Sequence, residues 1–153
     1  RKGVPNLVVD LPHTWTSWTR NVLQSADEIV ITATPDLSSF RNAKNLIESV
    51  KAARANDAPP MLVLNQMGVP KRPEIPAEQF AEALEVEPTA IINWEPHLFG
   101  LAATNAEPVF EAGGKSKAAQ SMDELAVKLL GHSGDKVGSR GLGINLKSLF
   151  RKL

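Results

Sequence analysis

The stretch Ile29-Val30-Ile31-Thr32-Ala33-Thr34-Pro35-Asp36 decides the fold. Its β-branched run has few polar breaks and reads as a strand covered on both faces. Pro35 stops it, having no N–H to offer a ladder. Asp36 or Ser38 can then cap a helix in which Phe40, Ala43, Leu46, Ile47 and Val50 keep helical spacing to about Ala53. A turn over 56–60, with two prolines, delivers a second apolar run, Met61-Leu62-Val63-Leu64-Asn65, which ends on a polar amide. Strand, helix, strand is the unit from which parallel sheets are built.

The same alternation continues in both directions. Residues 68–76 carry too much proline for anything but an ordered loop. A helix is expected over 76–84, with proline at its start and glutamate early in its first turn. A further strand follows over 90–94, a turn or short helix over 96–106, and a longer helix over 117–130 with Ala118, Met122, Leu125, Ala126 and Leu129 inward. Upstream, 14–25 reads as a helix with Trp15, Trp18, Val22 and Leu23 on one side. Before it, Leu7, Val8 and Val9 feed directly into Asp10, and Leu11-Pro12 forces the backbone out of regular structure. Asp10 is therefore expected on the rim of a buried strand, where a carboxylate can help hold the Mg²⁺ of a bound nucleotide. The class is α/β: a parallel sheet with crossover helices.

At 153 residues, 42% hydrophobic and 22% charged, the chain has the profile of one globular domain with a core large enough to fold. Its 17 basic residues balance 17 acidic ones, so no overall field draws it to nucleic acid or anionic lipid. With no cysteine there is no disulfide, thiolate metal site or cysteine nucleophile, which fits a reducing cytosol. No apolar run approaches the roughly 18 residues of a membrane span. The chain opens on Arg1-Lys2-Gly3 and is expected to be a piece of a longer protein.

Five segments carry a resemblance. Val8-Val9-Asp10-Leu11-Pro12-His13, Ala26-Asp27-Glu28-Ile29-Val30, Thr34-Pro35-Asp36 with Arg41-Asn42-Ala43, Val63-Leu64-Asn65-Gln66 and Pro70-Lys71-Arg72-Pro73-Glu74-Ile75 are similar to MinD/ParA-type ATPases. Among those they most resemble the CpaE proteins of Tad (Flp) pilus assembly. The resemblance implies that 1–130 is the C-terminal part of a P-loop NTPase domain. Asp10 then corresponds to the Walker B aspartate, linked to the metal through water, and Asn65 to the asparagine used against adenine. Pro12 and His13 fall in the second switch segment. Where this chain has Asn93 the family often has proline.

The full parent is implied to bind ATP or ADP with Mg²⁺, to dimerise, and to work with pilus assembly proteins in the cytoplasm, at the inner membrane or cell pole. The Walker A loop is expected upstream of residue 1, so this piece alone is expected to bind no nucleotide and to be inactive. The strand leading into that loop would lie between the Asp10 strand and the Ile29 strand.

Plainer readings stand beside these. On the residues alone, Asp10 can be an ordinary loop carboxylate and Asn65 a turn former. Gly113-Gly114-Lys115-Ser116 is not a phosphate loop, because the motif needs glycine where Val109 stands and a strand running into it; it reads as the start of a helix. His13, His97 and His132 have no partner at ligand spacing. Trp15 and Trp18 are expected in the core or a subunit contact, since a nucleic-acid platform would want more basic neighbours than Arg20. Residues 131–143 read as a flexible linker. In 144–153 an amphipathic tail places Leu146, Leu149, Phe150 and Leu153 on one face, to dock on protein or, with the avidity of a dimer, on a membrane surface. Two alternatives to a pilus ATPase remain: a non-catalytic localisation module of the same family, and a ParA-type DNA-partitioning ATPase, which would need a basic patch.

Overall fold

The computed structural model describes residues 6–130. Three strands, β1 (Val30–Ala33), β2 (Met61–Met67) and β3 (Pro88–Asn93), form one sheet in the order β1-β2-β3, and both pairings are parallel. Helix α1 (Ser17–Ser25) precedes the sheet; α2 (Leu37–Ala53) and α3 (Ala77–Leu84) connect its strands; α4 (Pro96–Asn105), α5 (Val109–Gly113) and α6 (Lys117–Leu129) follow it. The α/β class and the parallel sheet with crossovers are as expected.

Local chemistry places the helix starts. Asp36 caps α2 by accepting from the Ser39 amide at 2.9 Å, Thr16 caps α1 from the Thr19 amide at 3.1 Å, and Ser116 caps α6 from the Ala119 amide at 3.0 Å. Two helices end on residues in the left-handed region, Glu85 after α3 and Ala106 after α4.

Helices cover both faces of the sheet. On one, Ile31, Ala33, Leu62 and Leu64 pack with Ala43, Ile47 and Val50 of α2 and with Phe80 and Leu84 of α3. Phe80 is fully buried and meets Phe40 edge to face, with ring centroids 5.2 Å apart. On the other face Val63, Ala90 and Ile92 pack with Ala118, Met122 and Leu125 of α6 and with Leu98 and Phe99 of α4. Burying one such large side chain is worth about 1.5–3 kcal/mol, which is what selects the apolar face of each helix.

Three expectations differ. The buried strand leading into Asp10 does not form: residues 6–10 belong to no strand, and Leu7 and Val8 are 79% and 93% exposed. A strand exists only where a neighbour completes its ladder, and β1 is the edge of the sheet. β1 is covered on one face, not two; Ile31 and Ala33 are buried while Val30 and Thr32 are exposed, because α4 and α6 pack over β2 and β3. Of the two readings of Trp15 and Trp18, core or subunit contact, the core one fails, since they are 56% and 54% exposed, and α1 begins at Ser17 rather than Thr14, with Thr19 its buried residue. The short helix expected over 96–106 forms as α4, and a further one, α5, follows it. The linker over 131–143 and the tail over 144–153, with Leu146, Leu149, Phe150 and Leu153, lie outside the described residues.

Candidate functional site

Parallel α/β sheets bind ligands beyond the carboxyl ends of their strands, and here three loops meet at that edge. At the end of β1, Thr34 and Asp36 lock the turn. The Thr34 hydroxyl donates to Asp36 Oδ2, and the Thr34 amide donates to Ser39 Oγ at 2.9 Å. The Thr34 hydroxyl, then the Ser39 and Ser38 amides and the Arg72 charge, hold the Asp36 carboxyl below its ordinary value against the opposing effect of burial. The Pro35 carbonyl accepts from the Ile75 amide at 2.8 Å, which ties this turn to the loop that follows β2.

That loop carries Asn65. Asn65 stands at the carboxyl side of β2, half-buried, and its Oδ1 accepts from the Gln66 amide at 2.8 Å. Since an N–H must meet an acceptor, the amide orientation is decided: Nδ2 is left outward, and it makes no hydrogen bond among the described residues. Gln66 itself sits in the left-handed region at φ 57°, as does Lys71 at 62°, and Gly68 at 83° needs its glycine for the same reason.

Arg72 and Glu74 close the loop. Arg72 Nη2 donates to the Gln66 carbonyl, Nη1 to Gln66 Oε1 at 3.3 Å, and Nη2 to Glu74 Oε1 at 2.9 Å. The Glu74 carboxylate also accepts from the Gly68 amide at 2.9 Å and the Val69 amide at 3.0 Å. Burial pushes that carboxyl up, but the two amides and the guanidinium together outweigh it and leave the group below its ordinary value. Nothing in the sequence pattern marked this pair beyond an arginine and a glutamate two apart in a proline-rich loop.

At the end of β3 the Trp94 amide donates to the Met67 carbonyl at 2.7 Å, and Glu95 reaches forward to cap α6, accepting from the Ala118 amide at 3.0 Å. With Ser116 on the Ala119 amide, the start of α6 is satisfied by its own chain. Residues 113–116 lead into α6, with Ser116 its cap, so they are the expected start of a helix.

The structure therefore places Asn65 in the carboxyl half of β2, and Asn93 ends the neighbouring strand, its Cα paired with Met67. Asp10, Pro12 and His13 lie on an exposed, irregular segment before α1. Among the described residues no group of three or more His, Cys, Asp or Glu could hold a metal ion. Asp10 carries a carboxylate of the hard oxygen kind that could hold a water on Mg²⁺, whose other ligands in nucleotide sites are phosphate oxygens and waters. A hollow of about 380 Å³ bordered by Asp27, Glu28, Arg54, Asn56 and Asp57 opens at the amino ends of β1 and β2, opposite this edge.

Solved structures share this fold. The MinD cell division protein of Aquifex aeolicus matches with a TM-score of 0.64 at 23% identity, over 78% of this chain and 50% of its own. The cell division ATPase MinD of Pyrococcus furiosus gives 0.67 at 22%, over 81% and 51%. A ParA family ATPase from Chlorobium tepidum gives 0.58 at 20%, over 74% and 46%. The fold is that of the MinD and ParA ATPases. The chain spans about half the length of these proteins. No family model and no curated protein matches it. In the MinD-like frame the carboxyl edge with Asn65 is the side on which an α/β sheet takes its ligand. Among the described residues no helix is long and apolar enough to cross a membrane.

Proposed function

We propose that this chain is the C-terminal part of a MinD/ParA-type ATPase of the CpaE kind, which in its full form binds ATP or ADP with Mg²⁺ and helps localise Tad (Flp) pilus machinery. The observation that carries the reading is Asn65, presented at the carboxyl edge of a parallel sheet whose fold matches about half of MinD. The base would meet Asn65, and Asp10 would orient a metal-bound water, with Pro12 and His13 in the segment that responds to the γ-phosphate. The phosphate cradle belongs to the remainder of the domain. Backbone amides and a lysine there would neutralise the transferred phosphate.

The full protein would close as a dimer around nucleotide, engage pilus assembly proteins, and sit in the cytoplasm or at the inner face of the membrane. The tail residues Leu146, Leu149, Phe150 and Leu153 would supply a weak lipid contact that two copies strengthen. The test is ATP binding and turnover by the full-length protein, wild type against Asp10→Ala. Loss of Mg²⁺-dependent turnover in the variant supports the reading, and unchanged binding and rate overturn the metal role.

One observation favours a second reading, a non-catalytic localisation module: Leu7, Val8, Trp15 and Trp18 offer a largely exposed apolar stretch suited to a protein partner. The residues upstream decide between the two, since the ATPase requires the paired lysines of the deviant Walker A loop. A ParA-type DNA-partitioning role would instead show as DNA binding that weakens steeply between two salt concentrations.

A further inference from the structure

We propose that Arg72 and Glu74 form a clamp that holds Gln66 by its carbonyl and side chain in the left-handed conformation and, through the Gln66 N–H, aims the Asn65 side-chain amide at a ring-nitrogen acceptor of an adenine nucleotide. This rests on the nucleotide reading of Asn65 above. Arg72 is then a positioning residue for that site.

The argument starts from a conformation that needs holding. Gln66 lies at φ 57°, a region that non-glycine residues seldom occupy without support from their surroundings. The support is visible: the Arg72 fork grips Gln66 twice, at its carbonyl and at its side-chain oxygen. Arg72 is in turn held by Glu74, whose carboxylate is anchored by the Gly68 and Val69 amides. The two side chains are only 25% and 18% exposed, so the clamp is largely shielded from water.

What the clamp fixes is the direction of one amide. With the Gln66 N–H pointed at Asn65 Oδ1, the Asn65 side chain cannot turn over without giving up that bond, so it offers the outside a donor, Nδ2. A donor at this edge can meet a purine ring nitrogen or a phosphate oxygen, and the nucleotide reading of Asn65 assigns it the base. A point charge could not do what Arg72 does, because the grip on Gln66 and Glu74 uses the planar fork.

The test is a double-mutant cycle in the full-length protein, with Mg·ATP and Mg·tripolyphosphate as separate probes. Arg72→Met and Asn65→Ala are each expected to weaken ATP by roughly tenfold, and the double variant by about the same tenfold rather than a hundredfold, because both remove one contact. Tripolyphosphate affinity is expected to stay within about twofold of wild type throughout, since it has no base. Arg72→Lys is expected to behave as Arg72→Met. Should Arg72→Met not fold, Glu74→Gln, which keeps an acceptor for the loop amides, takes its place in the cycle with the same expectation.

Effects that multiply, an Arg72 variant that binds ATP like wild type, or an equal loss for tripolyphosphate overturn the clamp while leaving the nucleotide reading in place. Absence of ATP binding by the wild type overturns that reading, and the clamp's role with it.

Discussion

Arg54 Nη1 donates to the Ala26 carbonyl at 2.8 Å, so the end of α2 is stapled to the end of α1. The same nitrogen reaches the Leu23 carbonyl at 3.1 Å, and Nε pairs with Asp57. One side chain thus satisfies carbonyls that the last turn of α1 cannot satisfy within the helix. Arg54→Ala is expected to cost about 1–3 kcal/mol in urea unfolding, with faster hydrogen exchange in α1 than in α2. Arg54→Lys should restore only part of this, since an ammonium cannot fork between two carbonyls and a carboxylate. Equal protection of α1 in wild type and Arg54→Ala would show that the staple does not hold the helix.

Phe80 tests the core under α2 and α3. It is fully buried against Phe40. Phe80→Ala is expected to lose about 3–5 kcal/mol, enough to unfold a marginal domain. Phe80→Leu, which keeps most of the volume, should cost clearly less, measured by chemical denaturation with an unchanged slope.

Trp15 and Trp18 report their exposure directly. Both are more than half exposed, so acrylamide should quench their fluorescence efficiently in the native state. Replacing both by alanine should change stability by no more than about 1 kcal/mol. A loss of several kcal/mol would return them to the core.

Stability should fall in acid through two carboxylates. Asp36 and Glu74 are both held below their ordinary values in the folded protein. The folded state therefore keeps them ionised where the unfolded chain would take up protons, and stability rises with pH across that interval. Their contribution is fully present above the ordinary carboxylate values of 3.8 and 4.5 and is lost as pH falls through the lower folded ones. Unfolding free energies of the wild type, Asp36→Asn and Glu74→Gln, followed from pH 6 into acid, should show a shallower decline in each variant. Parallel curves would mean that neither carboxylate is linked to folding.

The helix α2 was legible from residues alone: Asp36 is its cap and Ala43, Ile47 and Val50 are its buried stripe, because capping and helical periodicity are local properties. So was the refusal of a phosphate loop at residues 113–116, where Ser116 is an ordinary helix cap. The strand that carries Asn65 was legible for the same reason, although β2 runs on to Met67. The clamp was not, since its meaning lies in Gln66, Gly68, Arg72 and Glu74 converging through a fold of the backbone that leaves no periodic trace.

By itself the sequence determined the order and type of most elements and the parallel class of the sheet, because hydrophobic period, caps and proline stops act within a few residues. Only the tertiary structure decided that Leu7 and Val8 face solvent, that Val30 and Thr32 are uncovered, and that Glu95 caps a helix 23 residues further along the chain. The physical reason is one of partners. An apolar run becomes a strand only beside a neighbour that completes its backbone hydrogen bonds, and a carboxylate becomes a cap only where the fold has brought an unpaired amide to meet it.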